Sequence, residues 1–304
     1  MINYRDHNYI DIEKYNNCVQ RNNQKIPYAL SWYLDSVCEQ WDCLVLDDYD
    51  AVWPLPFRRK FGIKYFFRPF AIQQLGVFSK QPLSEEQILA FQQKLSENCR
   101  FADVYLNENQ IVNSLSNKWE VKKQTNLVLK LKRSYQEVYK GYSSNLKRKL
   151  KKQQQTNFDL FESDGPQVLL DLFSANKGEE LKLSSEFFRS MEKAMFQLLH
   201  RGLAKVFTIY GGPNQLLAGV FFVEYQGRSI FLFSAVSPIG KDLDAMTYLI
   251  NEYLIYNSER LEELDFEGSE NKGLARFYAS FGPEVRSYNH LKYNGLPWPI
   301  SLLK

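Results

Sequence analysis

A chain of 304 residues, 44% hydrophobic and 24% charged, has room for one large domain or two ordinary ones around a sizeable core. Its 38 Lys and Arg exceed its 35 Asp and Glu by only three, which argues against a broad nucleic-acid or anionic-membrane footprint. Four unpaired-looking cysteines (Cys18, Cys38, Cys43, Cys99) and three scattered histidines (His7, His200, His290) provide neither a disulfide framework nor a metal motif.

No Gly-x-Ser-x-Gly elbow, Walker loop or Gly-x-Gly-x-x-Gly fingerprint occurs, which disfavours phosphoryl and hydride transfer, and no metal is expected. No apolar run approaches the roughly 20 residues that a bilayer span requires. The N-terminus also lacks the basic-then-apolar order of a signal peptide. The expectation is a reduced, cytoplasmic protein without a membrane span.

In chain order, Leu44–Leu46 and Ala51–Leu55 read as strands around the acidic turn 47–50, followed by Tyr65–Phe67 and the run Gln73–Phe78. Ser84 is placed to N-cap a helix reaching about Asn98. Phe101–Leu106 follows as a strand and Glu108–Leu115 as a short helix. Polar segments then bracket a strand at Leu127–Leu131, and Ser134-x-x-Glu137 has the form of a capping box. The junction is accordingly placed at 131/132, giving an N-terminal half 1–131 and a C-terminal half 132–304.

The second half continues with a basic run, Asn145–Lys152, whose helical spacing groups Lys147 with Lys151 and Arg148 with Lys152. His200 ends an apolar helix, where a cation suits the helix dipole. Ala204–Tyr210, Leu216–Tyr225 and Ser229–Val236 are strands, the last two forming a hairpin across 226–228. Leu243, Met246, Ile250, Tyr253 and Leu254 define one helical face. A strand at 262–266 then feeds a helix through Gly268-Ser269. Both halves thus show strands, a helix, a strand and a helix in the same order.

The closing segment, Leu264-Asp-Phe-Glu-Gly-Ser-Glu-Asn through Phe281-Gly282, sets Tyr278 and Gly282 at +7 and +11 from Asn271. This resembles the Asn-x6-Tyr-x3-Gly ending of GNAT-superfamily acyltransferases. The Asp-Phe-x-Gly-Ser…Phe-x3-Phe-Gly wording resembles more closely the Fem-type (FemAB-like) peptidyltransferases, which are built from two GNAT-like halves. The resemblance implies an α+β, mixed α/β fold: a duplicated GNAT-like acyl-CoA N-acyltransferase architecture of two lobes with a central cleft, the active site in the C-terminal lobe.

It also implies roles for residues. Tyr278, which stands where many Fem-type enzymes have lysine, would protonate a departing thiolate as general acid. Glu267 and Asp265, alternate residues at the C-terminal end of the preceding strand, are expected to point the same way and would accept the acceptor's proton or anchor it. The donor would lie against Ser234 and Val236 of strand 229–236, with Gly240, Lys241 and Asn271 as further cofactor-binding candidates. The loop Ser237–Ala245 carries one glycine, one lysine and two acids, a composition poor for the pyrophosphate of coenzyme A. Asn145, Arg148 and Lys152, together with Arg58 and Arg59, are candidates for substrate or phosphate binding, including a tRNA end.

The expected activity is N-acyl transfer from an acyl-CoA or an aminoacyl-tRNA, used as co-substrate with no covalently bound cofactor. The acceptor would be an amine, either a small molecule or a peptidoglycan-precursor-like compound. The alternative is a GNAT-like fold kept as a non-catalytic binding or interaction module. Neither the donor, the acceptor nor the oligomeric state is named by the residues themselves.

Overall fold

The computed structural model describes residues 1–108, 110, 112, 118–153, 156–178, 181, 183–268 and 271–298. Two compact units emerge, Met1–Gln124 with Ser287–Lys304, and Thr125–Arg286.

The first unit opens with β1 (Ile2–Arg5), α1 (Ile12–Gln20) and α2 (Ser31–Val37). It continues through β2 (Trp41–Leu46), β3 (Ala51–Lys60), β4 (Ile63–Phe66), the short β5 (Phe78–Ser79), α3 (Glu85–Glu97) and β6 (Phe101–Tyr105). Of the expected run Gln73–Phe78 only Phe78 reaches β geometry, in β5 (Phe78–Ser79). The helix expected over Glu108–Leu115 lies largely outside the described residues. α3 begins as expected: Ser84 accepts the Gln87 N–H at 3.2 Å, and the Gln87 side chain accepts the Ser84 N–H at 2.9 Å. Its core gathers Trp53, Phe66, Phe91, Leu95, Ala102 and Leu291.

β7 (Trp119–Lys130) leads into the second unit, which holds α4 (Tyr135–Lys140), α5 (Ser144–Gln153), β8 (Asp159–Ser163), α6 (Gln167–Phe173) and α7 (Ser185–His200). Then come β9 (Ala204–Tyr210), β10 (Leu216–Tyr225), β11 (Arg228–Val236), α8 (Pro238–Asp242), α9 (Ala245–Asn257), β12 (Glu263–Asp265) and α10 (Lys272–Ala279); the last strand, β13 (Glu284–Asn294), belongs from Ser287 onward to the first unit. The capping box at Ser134 and Glu137 opens α4. Within this unit the strand order is β7-β12-β11-β10-β9-β8.

Among the described residues, each unit contains one parallel pair reached through a helix. β4 and β6 pair in parallel with α3 between them in the chain, and β11 and β12 do so with α9 between them. A parallel pair cannot be closed by a tight turn, so a helical crossover is required. This shared device is the physical form of the repeated element order.

The second core packs α9 and α10 against the sheet. Tyr253 stacks on Phe222 with centroids 3.7 Å apart, and Ile250, Leu254, Phe266 and Phe281 are buried around them. The helical face read from sequence is shortened at its start. Asp244 adopts φ 55°, which interrupts the helix before Ala245 and leaves Leu243 exposed.

Candidate active site

The site is built where β11 outruns its parallel neighbour. The β11–β12 ladder joins Arg228–Ile230 to Glu263–Asp265 and then stops, while β11 continues to Val236. On its other side β11 stays paired with β10 as far as Ala218↔Val236. Aromatic rings occupy the space opened by this divergence. Tyr278 stacks on Phe266 at 5.1 Å and meets Phe231 edge-on at 5.5 Å.

Beside these rings lies a pocket of about 240 Å³, lined by Phe231, Ser234, Val236, Gly240, Lys241, Asp244, Met246, Thr247, Leu274, Phe277 and Tyr278. Five sequence candidates meet there: Ser234, Val236, Gly240, Lys241 and Tyr278. The chain positions them through β11, the one-turn helix α8 and α10.

Tyr278 is 7% exposed. Burial, reinforced by the negative charge of Glu267, pushes its phenol well above the ordinary value, so it stays protonated at neutral pH. Among the described residues its hydroxyl has no hydrogen-bond partner. A buried hydroxyl normally finds one. Tyr278 is one of the residues that line the pocket.

Gly240 shows why α8 lies so close to the sheet. A Cβ at this position would overlap the Leu217 carbonyl of β10, so no larger residue fits without displacing the helix. Ser237 caps the turn by accepting the Gly240 N–H at 3.0 Å. Lys241, next in the chain, is exposed at the pocket and takes part in no ion pair among the described residues. The acidic character of this loop is partly neutralised: Lys149 of α5 pairs with Asp244, and Gln153 donates to the Asp244 carbonyl at 2.7 Å.

The two carboxylates do not share a strand face. β12 ends at Asp265, and Glu267 lies beyond it at φ 60°, so strand alternation does not extend to it. A left-handed non-glycine residue costs about 1–2 kcal/mol and persists only where its surroundings hold it. Here the Asp265 carboxylate accepts the Glu267 N–H at 2.7 Å. Asp265 is itself buried and ion-paired with Arg228, which also reaches Glu263 at 3.1 Å. Asp265 therefore lies outside the pocket lining and holds the Glu267 turn, while Glu267 acts on Tyr278 through its charge.

Asn271 serves as the N-cap of α10, accepting the Gly273 and Leu274 N–H groups at 2.8 and 3.2 Å; it does not line the pocket. Gly282, at φ 75°, closes the same helix against Gly141, where a side chain would meet backbone. Two of the three residues in the Asn271–Tyr278–Gly282 spacing thus have a structural reason, and the tyrosine faces the pocket.

Asn145, Arg148 and Lys152 are exposed on α5, with the Asn145 side chain accepting from the Arg148 guanidinium at 2.8 Å. Arg58 and Arg59 belong to the first unit, where Arg58 stacks over Phe67 at 4.6 Å and Arg59 approaches Phe57 at 5.9 Å. None of these five lines the pocket. Sequence reading did not single out Phe231, Thr247, Leu274 or the Lys149–Asp244 pair. Met246 was legible only as an apolar helix position, and Lys149 only as one charge in a basic run.

No protein-family model matches the sequence, and comparison with curated protein sequences gives no match. Solved structures do match. The crystal structure of FemX superimposes with a TM-score of 0.67 over 97% of this chain and 98% of its own, at 13% identity. The fold is GNAT-like and of the Fem type. L-PGS from Bacillus licheniformis gives 0.54 at 10% identity, over 96% of this chain and 95% of its own. The C-terminal domain of a putative lysylphosphatidylglycerol synthetase from Agrobacterium fabrum gives 0.53 at 12% identity, over 96% and 94%. At such identities the likeness is one of fold, and a shared fold hosts many activities. Among the described residues, no helix is long and apolar enough to cross a membrane.

Proposed function

We propose that the protein is an N-acyltransferase whose reaction takes place at the pocket beside Tyr278. The observation that carries this reading is Tyr278, whose hydroxyl has no hydrogen-bond partner among the described residues, in the lining of a pocket beside the point where β11 and β12 diverge. An activated acyl carbonyl placed along β11 would meet backbone groups beyond the last β12 pair. Preorganised donors of that kind stabilise charge developing on a carbonyl oxygen.

The amine nitrogen attacks the acyl carbon, and the bond from that carbon to the departing sulfur or oxygen breaks. Tyr278 gives its proton to the leaving atom. Glu267 takes the proton released by the amine, and its passage to the phenolate restores both groups. The acyl group, one amine hydrogen and the leaving group thereby become an amide and a protonated thiol or hydroxyl. Asp265 acts as a positioning residue for Glu267 through the Glu267 N–H. Tethering the two reactants contributes as much as the acid does, since orientation removes the entropic cost of their encounter.

A coenzyme A thioester is the first-choice donor. The pairing of Asp244 with Lys149 and the accessible Lys241 support it, because they leave the loop less hostile to an anion than its composition implies. An aminoacyl-tRNA is the second reading. It is supported by the exposed basic side chains of α5 and by the name of the similar lysylphosphatidylglycerol synthetase domain. The acceptor is an amine, with peptidoglycan precursors a candidate class from the Fem-type fold.

Thermal shift with acetyl-coenzyme A and with free coenzyme A tests the donor. A ligand at 100 times its dissociation constant adds about 2.7 kcal/mol to native stability. A saturable shift followed by acetyl transfer to an amine panel is expected. No shift from either compound moves the donor to aminoacyl-tRNA, and loss of all transfer activity with both donors would favour a non-catalytic binding module.

A further inference from the structure

The lining of the pocket specifies more than a location. Phe231, Val236, Met246, Leu274, Phe277 and the Tyr278 ring supply most of its wall. Thr247, Ser234 and the Tyr278 hydroxyl are the uncharged polar side-chain groups of its lining residues, and Thr247 is 2% exposed. Only two lining residues carry charge. Asp244 is paired with Lys149, whereas Lys241 has no ion pair among the described residues. The uncompensated charge at the pocket is therefore positive. Glu267, the acid that acts electrostatically on Tyr278, is not part of the lining.

We infer that this pocket accepts an uncharged, hydrocarbon acyl chain and discriminates against an acyl group bearing an ammonium. The inference rests on the acyl-transfer reading of the site and narrows its substrate class. An α- or β-amino group on the acyl moiety would have to shed water against rings and methylenes. No lining carboxylate is available to pair with it, and Lys241 would repel it. Desolvating an unpaired ammonium is far costlier than burying a methyl group of the same size. A methyl group instead gains from each apolar neighbour. The length of chain accepted is bounded by a volume of about 240 Å³, at the lower edge of ordinary ligand pockets.

Exposed apolar side chains border the same place. Leu274 is 46% exposed on α10, and Ile239 and Leu243 are 49% and 40% exposed beside α8. Their loss of contact with water on ligand binding would extend the apolar contact beyond the pocket wall. The region is thus suited to a chain that enters from solvent and lies along α8 and α10.

The test measures binding rather than turnover, so that it separates from the catalytic reading. The probes are hydrolysis-resistant amide analogues of acyl-pantetheine bearing acetyl, butanoyl and hexanoyl groups. The β-alanyl analogue, in which an ammonium replaces the terminal methyl of the butanoyl group, is the fourth. Affinity should rise about fourfold for each buried methylene. The β-alanyl analogue should bind at least tenfold more weakly than its butanoyl isostere. In Leu274→Asp, which places a carboxylate at an exposed position, that preference should shrink or reverse.

A flat length series, equal binding of the ammonium isostere, or no binding of any analogue would overturn the inference. The same series run in Tyr278→Phe should keep its order, because the ring that forms the wall remains. If the series holds in both proteins while Tyr278→Phe transfers acyl groups at the wild-type rate, the catalytic assignment fails and the acyl-binding inference stands.

Discussion

Replacing Tyr278 by phenylalanine removes one hydroxyl and keeps the ring that stacks on Phe266 at 5.1 Å and meets Phe231 at 5.5 Å. That hydroxyl has no hydrogen-bond partner among the described residues, so the substitution orphans none of them. Stability should change by less than about 1 kcal/mol, because the large penalties arise when a partner is left unsatisfied or a cavity opens. In a protein of this size that corresponds to a melting-point change of no more than about 2–4 °C. Activity should respond very differently. A positioned general acid contributes roughly 10²–10⁴-fold, equivalent to about 2.7–5.4 kcal/mol of transition-state stabilisation. Steady-state transfer kinetics and a thermal melt on the same preparation measure both quantities. Wild-type turnover with an unchanged melting point would refute the acid role. A melting point lowered by ten degrees would show instead that the hydroxyl has a structural partner. The alkaline limb offers an independent check. Tyr278 has a raised pKa in the folded state, so the folded protein keeps a proton that the unfolded chain loses above about pH 10. Its contribution is full below that pH and declines as pH rises further, and Tyr278→Phe should flatten the decline.

Further outcomes follow from the surrounding structure. Arg228→Ala leaves the buried Asp265 without its cation, whereas Glu263 keeps Arg286 at 2.7 Å, and should cost about 3–5 kcal/mol in a denaturant titration at unchanged m-value. Gly240→Ala drives a Cβ into the Leu217 carbonyl and should lower stability by about 1–3 kcal/mol while abolishing any ligand-induced thermal shift. Lys149→Ala should scarcely alter the melting point, since the pair with Asp244 is partly exposed and worth at most about 1 kcal/mol. It should nevertheless weaken binding of an anionic donor, and Asp244→Asn in the same background should restore it. In the first unit, the His290 ring at 2.7 Å holds the Asp103 carboxyl below its ordinary value. That stabilisation is present above the usual aspartate range and is lost as pH falls through the lower folded value. The melting points of wild type and Asp103→Asn should differ slightly near neutrality, with the gap narrowing in acid; a pH-independent gap would refute the linkage.

The sequence by itself determined whatever depends on neighbours in the chain. Turn glycines, alternating apolar runs and capping residues located β9 to its end residues, β10 and β11 to within one, and the capping boxes at Ser134 and Ser84. These features have short periods and local hydrogen bonds, so nothing distant is needed to read them. The order of elements in the two halves was legible for the same reason, whereas the expectation of a GNAT-like fold came from the resemblance of the closing segment, which that order fits. Tyr278 could be singled out because the resemblance in residue wording spans a single strand–turn–helix segment, and the β11 residues because the resembled fold places the donor beside that strand.

Tertiary structure decided which of those residues meet. The early end of β12 at Asp265 places Glu267 in a left-handed turn, and only the Arg228 partner explains why Asp265 is buried and charged. Lys149 and Asp244 are 95 residues apart, so their pairing, which partly neutralises the acidity of the loop, has no sequence signature. The apolar lining has none either. Phe231, Met246 and Leu274 come from a strand and two helices, and each reads alone as an ordinary core or surface residue. A pocket is a property of surfaces brought together by packing, and its chemistry is set by side chains whose separation along the chain carries no periodicity.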